Sequence, residues 1–188
     1  MTCLVVCLSG RIGSGKTSLS AALASARGAT SVSFGAYVRS VAVVRGLDAT
    51  HRETLQDLGA ELIEEHGYEW LCRQVVGAAN WDGKHDLIVD GIRHAGVLEA
   101  IRSMMAPAKT VLLHLELDSE SELRRRDEGR SFSPERRTEV EKHSTERDVQ
   151  SSLPAGADLT LRAERWIEET VAAAVVFLDG LLSKECSE

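Results

Sequence analysis

The sequence predicts an α/β fold, a three-layer sandwich in which five parallel strands form one sheet with helices on both faces. Apolar runs such as 4–6 and 87–89 are continuous rather than alternating, which is typical of strands covered by helices on both sides. Helix-length segments separate these runs, and this alternation favours right-handed βαβ units. A length of 188 residues fits a single domain, 1–188, that buries its own core.

The strands and helices can be placed approximately. The five predicted strands are 3–9, 31–34, 86–90, 110–117 and 157–161. A helix should follow Asp48, because apolar residues recur at helical spacing over 55–63, and Asp48 or Thr50 could cap its start. A second helix is expected around 70–76. A C-terminal helix whose broad apolar face includes Trp166 should dock on the sheet.

Composition excludes several classes of protein. A net charge of −7 argues against general nucleic-acid binding, which needs a basic surface. The four cysteines are Cys3, Cys7, Cys72 and Cys186; they form no C-x-x-C pair, so we expect reduced thiols rather than a zinc or disulfide site. We find no signal-peptide pattern and no apolar segment long enough to cross a bilayer. The protein is therefore expected to be cytoplasmic, without a membrane partner, and a monomer or a homodimer.

The motif that carries the chemistry is G-R-I-G-S-G-K-T at 10–17, which has the form G-x-x-x-x-G-K-T. Its glycines let successive N–H groups point at phosphate oxygens, and the helix that follows aims its positive end at the same anion. Lys16 should reach the β- and γ-phosphates, and Thr17 should offer its hydroxyl to Mg²⁺. ATP and Mg²⁺ are thus the expected cofactors. The expected nucleotide-binding residues are Gly10, Gly13, Ser14, Gly15, Lys16, Thr17 and Ser18.

A second element is D-L-I-V-D-G-I-R at 86–93, where a strand ends in an acid. In such a fold the carboxyl end of this strand lies beside the phosphate loop, so Asp90 is placed to hold Mg²⁺ directly or through water. Gly91 allows a close turn, and Arg93 should point over the cleft. The alternative is that Asp90 caps the helix expected near His94. We favour the metal role, because Mg–nucleotide chemistry requires an acid at this position together with the loop.

A third element is S-F-G-A-Y-V-R at 33–39, directly after the second strand. A kinase that phosphorylates a phosphate group needs a cation here to hold the acceptor in line. Arg39 is the first candidate and Arg45 the second; a plain surface arginine is the alternative. Phe34 and Tyr37 are candidates for further substrate contacts.

One region, 118–148, carries a charge at almost every second position. Its arginines are Arg124, Arg125, Arg126, Arg130, Arg136, Arg137 and Arg147. It could be a solvated helical hairpin with pairs of opposite charge, or a mobile lid whose arginines close over phosphates.

These elements together resemble the nucleoside-monophosphate-kinase-like P-loop kinases, especially phage-type deoxynucleoside monophosphate kinases and relatives of dephospho-CoA kinase. The loop at 10–17 is similar to the G-G-I-G-S-G-K-[ST] of dephospho-CoA kinases. The run L-Q-D-L-G-A-E-L-I at 55–63, followed by Trp70, resembles a phage-type segment. D-G-I-R at 90–93, followed by E-A at 99–100, resembles the D-x-x-R and E-A region of the same group.

The resemblance implies the strand order 2-3-1-4-5, acceptor-binding helices at about 35–80 and a helical lid at about 118–148. It further implies that Arg39 and Arg93 serve the acceptor. Arg126 and Arg130 would cover the transferring phosphoryl group, so the catalytic set is Lys16, Asp90, Arg93, Arg126 and Arg130.

The acceptor is predicted from a position at which this sequence departs from the pattern of dephospho-CoA kinases. Dephospho-CoA kinases carry acids after the second strand, where the chain here reads S-F-G at 33–35. A hydroxyl acceptor benefits from a general base, whereas an anionic phosphate acceptor needs only cations and alignment. We therefore expect phosphoryl transfer to a (deoxy)nucleoside monophosphate. A dephospho-CoA kinase or other hydroxyl-directed kinase stays open, as does a nucleotide-binding regulator or ATPase that transfers nothing. The acceptor base and the choice between ATP and GTP also stay open.

Overall fold

The computed structural model describes residues 3–117, 147–163 and 166–185. The strands are β1 (Leu4–Gly10), β2 (Thr30–Ser33), β3 (Leu87–Ile92), β4 (Lys109–Glu116) and β5 (Leu159–Arg162). The helices are α1 (Lys16–Arg27), α2 (Phe34–Val44), α3 (Arg52–Gly77), α4 (Ala95–Met105), α5 (Arg147–Gln150), α6 (Ser152–Ala155) and α7 (Ile167–Glu185). Most of the predicted lid, 118–146, lies outside the described residues, and Arg126 and Arg130 lie there too.

The strands form one sheet in the order β2-β3-β1-β4-β5, and every neighbouring pair is parallel, which confirms the predicted fold and order. The position of β1 between two cores explains why its run of apolar residues is continuous. Val5 and Cys7 belong to one hydrophobic core, and Leu4, Val6 and Leu8 belong to a second core on the other face of the sheet. All five side chains are fully buried. The sheet therefore carries its carboxyl ends, and the loops that follow them, between two packed helical layers.

Element α3 contains the two predicted helices, which meet at Gly67, whose φ of 81° and ψ of 168° are not helical. Its 26 residues thus form one helix before Gly67 and a second one after it. The start of α3 differs from the prediction, because the cap residue is His51, which makes no side-chain cap bond. Asp48 instead accepts hydrogen bonds from the N–H and the hydroxyl of Thr50, at 2.8 and 2.6 Å. The predicted pair of helices is therefore confirmed, and Gly67 separates them.

Two further boundaries differ for local reasons. Phe34, predicted to end the second strand, begins α2, because the Ser33 hydroxyl accepts a hydrogen bond from the Ala36 N–H and caps the helix. Trp166, predicted to dock on the sheet, precedes α7 and is 58 % exposed, whereas Ala174 and Leu178 of α7 are fully buried. Among the described residues, no helix is both long and apolar enough to cross a bilayer.

A buried ion pair fixes the amino end of β3. Asp86 accepts hydrogen bonds from the Leu4 N–H at 2.8 Å and from Arg27 Nε at 2.6 Å. Arg27 also bonds Asp179 of α7 at 2.7 Å, and the side chains of Asp86 and Arg27 are both about nine-tenths buried. Residues of β1, α1 and α7 are thus linked to the amino end of β3, at the edge of the sheet opposite to the loops that follow the strands.

We expect Asp86→Ala to lower the free energy of unfolding by about 3–5 kcal/mol, because the buried Arg27 keeps only the exposed Asp179 as a partner and the Leu4 N–H loses its acceptor. Urea unfolding followed by circular dichroism measures the change. The matched control is Glu69→Ala, whose ion pair with Arg73 is mostly exposed and should contribute less than about 1 kcal/mol. Equal losses in the two variants would contradict a structural role for Asp86.

Candidate active site

The loop between β1 and α1 is curled, as the motif predicts. Gly15 caps α1 in the left-handed conformation, with φ of 95° and ψ of 14°, which favours glycine. Gly10 has a φ of 144°, and a β-carbon there would lie 2.5 Å from the Leu115 carbonyl oxygen of β4. The loop therefore passes close to the sheet and turns directly into a helix whose free N–H groups face outward.

Lys16 is 8 % exposed and is held by the loop itself. Its Nζ donates hydrogen bonds to the carbonyl oxygens of Gly10 and Arg11, at 2.6 and 2.7 Å. Burial, together with repulsion from Arg93, lowers the pKa of Lys16 to about 7, and attraction to Asp90 opposes both effects. A bound polyphosphate would restore the full charge of this lysine.

This low pKa predicts that the binding of ATP takes up a proton. At pH 8 the free protein should carry about 0.9 of a neutral lysine, since its pKa lies about one unit below that pH, and the bound triphosphate raises the pKa again. Titration calorimetry in buffers of different ionisation enthalpy should show uptake of most of one proton at pH 8 and less at pH 6. Uptake that persists in Lys16→Met, or that grows toward low pH, would contradict this assignment.

Asp90 lies at the end of β3 beside Thr17. The Thr17 hydroxyl donates a hydrogen bond to Asp90 Oδ2 at 3.0 Å, while Asp90 Oδ1 is buried and has no hydrogen-bond partner among the described residues. Burial raises the pKa of Asp90, and Lys16, Thr17 and Arg93 oppose that rise. The Asp90 oxygen without a hydrogen-bond partner and the Thr17 hydroxyl fit a hard cation that prefers oxygen ligands. Thr17 and Asp90 would hold Mg²⁺, which supplies charge neutralisation to a bound triphosphate.

The alternative role of Asp90, as a helix cap, does not match its contacts. The first N–H of α4, that of Ala95, donates instead to Asp148 Oδ2 at 2.9 Å. Asp148 is the last residue of the predicted lid, and its contact with α4 was not predicted. The Asp90 side chain therefore faces the phosphate loop rather than α4.

A cleft of about 830 Å³ opens beside this loop. Its donor side is lined by Ile12, Gly13, Gly15, Lys16, Thr17 and Ser18, and its far side by residues of α2, α3 and α4, of the ends of β2 and β3, and of the connections before α3 and α4. The far-side residues are Ser33, Phe34, Gly35, Ala36, Val38, Arg39, Thr50, Arg52, Leu55, Gln56, Gly59, Ile63, Leu71, Asp90, Gly91, Arg93, His94 and Val97. A volume of this size is within the range of small-molecule sites, and the cleft extends from the phosphate loop to α3.

The far side of the cleft is cationic. Arg39, Arg52 and Arg93 all line it, and Asp90 is the single carboxylate among the described residues that do. Burial and repulsion from Arg52 lower the pKa of Arg93 to about 10, and Asp90 opposes this. Burial and repulsion from Arg39 lower the pKa of Arg52 as well. Three cations that repel one another in the cleft are arranged to receive an anion.

The structure places the predicted site residues unequally. Most of them line the cleft. Gly10 and Ser14 of the loop do not, and Tyr37 packs against the core instead. Arg126 and Arg130 lie outside the described residues. Arg45, the second candidate for an acceptor contact, lies on the surface, where it pairs with Glu61 at 2.5 Å. Arg52 was missed, although it precedes the 55–63 motif by three residues, one helical turn. That spacing would have placed it on the same face as Leu55 and Gln56.

The fold and the site together define a P-loop nucleotide-binding protein with the fold of small-molecule kinases. The chain belongs to the AAA_18 family, described as an AAA domain, whose model matches residues 6–149. No curated protein matches the sequence. The narrower resemblance to nucleoside-monophosphate kinases stays a prediction.

Solved structures of small-molecule kinases share the whole fold. A gluconokinase from Sinorhizobium meliloti 1021 matches with a TM-score of 0.57 and 20% identity, covering 96% of this chain and 94% of that one. A shikimate kinase from Aquifex aeolicus matches with a TM-score of 0.53 and 15% identity, covering 94% and 97%. A shikimate kinase from Bacteroides thetaiotaomicron matches with a TM-score of 0.55 and 15% identity, covering 95% of this chain and 99% of that one. At these identities the likeness concerns the fold.

Proposed function

We propose that the protein is an ATP- and Mg²⁺-dependent kinase that transfers the γ-phosphoryl group to a small phosphate-bearing acceptor, in the first place a (deoxy)nucleoside monophosphate. The observation that carries this proposal is the charge of the far side of the cleft. Arg39, Arg52 and Arg93 face it, and Asp90 is the one acid among the described lining residues. An acceptor that carries two negative charges complements such a surface better than a neutral one.

The donor half follows from the loop. Its N–H groups and Lys16 bind the β- and γ-phosphates, and Thr17 and Asp90 would hold Mg²⁺. Because Lys16 lies within the loop that binds the triphosphate, its charge is placed where negative charge develops during transfer.

Arg93 connects the two halves. It lies close enough to Lys16 to lower the pKa of that residue, and close enough to Arg52 for its own pKa to be lowered in turn. A guanidinium in that position can contact the transferring phosphoryl group and the acceptor at once. In-line attack by an acceptor phosphate oxygen needs no base, since the oxygen is already anionic. The lid arginines Arg126 and Arg130 are proposed to add charge and exclude water when both ligands are bound.

A second candidate is transfer to a hydroxyl group of a small organic acid. A shikimate kinase and a gluconokinase share the fold. The raised pKa of Asp90 also makes its carboxylate a stronger base than an ordinary aspartate. A third candidate is an ATPase, which transfers the phosphoryl group to water alone, since the family is described as an AAA domain.

The test is an acceptor panel with product identification. Incubation with ATP and Mg²⁺ and, separately, each (d)NMP, dephospho-CoA, shikimate and gluconate should yield a new phosphorylated species by mass for a nucleoside monophosphate only. Arg39→Gln should raise the KM for that acceptor, and Arg45→Gln, a surface arginine, should not. Phosphorylation of a hydroxyl acceptor alone, or ADP release that no acceptor stimulates, would overturn the proposal in favour of the second or the third candidate.

A further inference from the structure

Helix α3 presents one continuous face to the cleft. Before the break at Gly67, the residues of this helix that line it are Arg52, Leu55, Gln56, Gly59 and Ile63, and their recurrence every three or four residues puts them in one row. Along that row the chemistry changes from a cation to an amide, then to a position without a side chain, and then to an apolar residue. At 1.5 Å per residue, Gly59 lies about 10 Å along the helix axis from Arg52. The row is therefore long enough to contact both ends of one small ligand.

Gly59 has no structural reason to be glycine. Its φ does not lie in the left-handed region, unlike that of Gly67 in the same helix. A β-carbon at Gly59 would meet a single atom, Val38 Cγ2, at an ordinary 3.9 Å, whereas one at Gly96 would collide with the Tyr68 ring at 2.4 Å. A glycine in a helix interior also destabilises the helix relative to alanine. What the missing side chain does provide is open space inside the cleft.

The space beside Gly59 has the properties of a site for a flat ring. Val38, whose Cγ2 lies nearest to a β-carbon at Gly59, and Leu55 and Ile63 of the same helix face supply apolar walls; Phe34, which lines the same cleft, is 7 % exposed. Gln56, also 7 % exposed, brings to these walls a carboxamide that can both donate and accept hydrogen bonds. Apolar walls with one buried amide suit a planar nitrogen heterocycle, whose faces are apolar and whose edge carries donors and acceptors.

We propose that Gly59 and Gln56 form the base subsite of the acceptor: the absence of a side chain at Gly59 admits a heterocyclic base, Gln56 bonds its edge, and Arg52 holds the phosphate one sugar away. This proposal rests on the proposed function and names the part of the acceptor that selects it. It assigns specificity to a position that contributes no side chain.

The experiment compares two phosphate ligands that differ by the base. With the donor half saturated by a non-hydrolysable ATP analogue and Mg²⁺, calorimetry measures the Kd of each nucleoside monophosphate and of ribose 5-phosphate. The wild-type protein should bind its best nucleotide roughly tenfold or more tightly than ribose 5-phosphate. Gly59→Leu should abolish that preference, Gly59→Ala should reduce it, and Gln56→Leu should weaken the nucleotide roughly tenfold. Arg52→Gln should weaken both ligands.

A matched control separates the cleft from the helix. Gly180 is an exposed glycine inside α7, and a β-carbon there meets nothing within 4 Å. Gly59→Ala and Gly180→Ala should both raise Tm by about 2–4 °C, and only the former should change the Kd of the nucleotide. The stability gain shows that Gly59→Ala folds, so its binding result is interpretable even if Gly59→Leu does not fold.

The outcomes separate this proposal from the proposed function. An unchanged preference in Gly59→Ala and Gln56→Leu, or a wild-type protein that binds ribose 5-phosphate as well as any nucleotide, would overturn the base subsite. If nucleotides are still phosphorylated in that case, the kinase assignment stands without it. Conversely, a base preference that depends on Gly59, together with no phosphorylated nucleotide by mass, would leave the subsite in place and remove the kinase assignment.

Discussion

Replacement of Lys16 by alanine should lower the rate of phosphoryl transfer at least about 100-fold while the protein stays folded. The ammonium group lies in the phosphate loop, within 2.7 Å of two loop carbonyl oxygens, and no other lysine lines the described cleft. Its loss removes a charge aimed at the oxygens on which charge develops. Initial rates with saturating ATP and acceptor measure the effect, and circular dichroism with a thermal melt verifies the fold.

The buried position of Lys16 makes the folding outcome predictable as well. Burial already disfavours its charged form, so its removal should cost little stability or even increase it near pH 7. The matched control is Lys84→Ala. Lys84 is an exposed lysine in the connection before β3, at the end of that strand opposite to Asp90 and the cleft. A Lys16→Ala protein that folds and turns over at the wild-type rate would exclude the loop from the mechanism.

Much of this site could be predicted because its residues are close in sequence. The phosphate loop combines a strand, a run of glycines and a helix start within about fifteen residues, and each part has a local cause. Asp90 could be predicted from the end of a continuous apolar run. The strand positions could be predicted to within about two residues; for β1, β3 and β4 the reason is that strands buried on both faces carry apolar side chains at most positions.

The residues that sequence reasoning missed are placed by contacts between distant segments. Asp148 caps α4 through a hydrogen bond to Ala95 that spans 53 residues, and no local pattern signals it. Arg52 enters the cleft because α3 packs beside α2 and α4, which a helical spacing alone cannot show. Arg45 has the same charge and lies seven residues earlier, yet two glutamates of α3 hold it at the surface. Charge and spacing alone did not distinguish the two arginines; the packing did.

Asp90→Asn is the second variant for which we expect a large loss of phosphoryl-transfer activity. Asparagine keeps the size of the side chain and an oxygen that can accept the Thr17 hydrogen bond, so the change removes the charge and little else. We expect transfer to fall about 100-fold or more, and the Mg²⁺ concentration that gives half of the maximal rate to rise. Since burial raises the pKa of Asp90, the neutral variant should be at least as stable as the wild type at pH 7.

Binding measurements without turnover decide which role of Asp90 causes that loss. ATP should raise the Tm of the wild-type protein more with Mg²⁺ than with EDTA, and Asp90→Asn should lose this difference; Asp82→Asn, an exposed acid before β3, should keep it. If Asp90 were instead a base for a hydroxyl acceptor, the Mg²⁺-dependent gain in Tm would survive in Asp90→Asn and added Mg²⁺ would not restore its rate. The orphaned Oδ1 atom favours the metal role, because a carboxylate oxygen buried without a partner is costly unless a bound group supplies one.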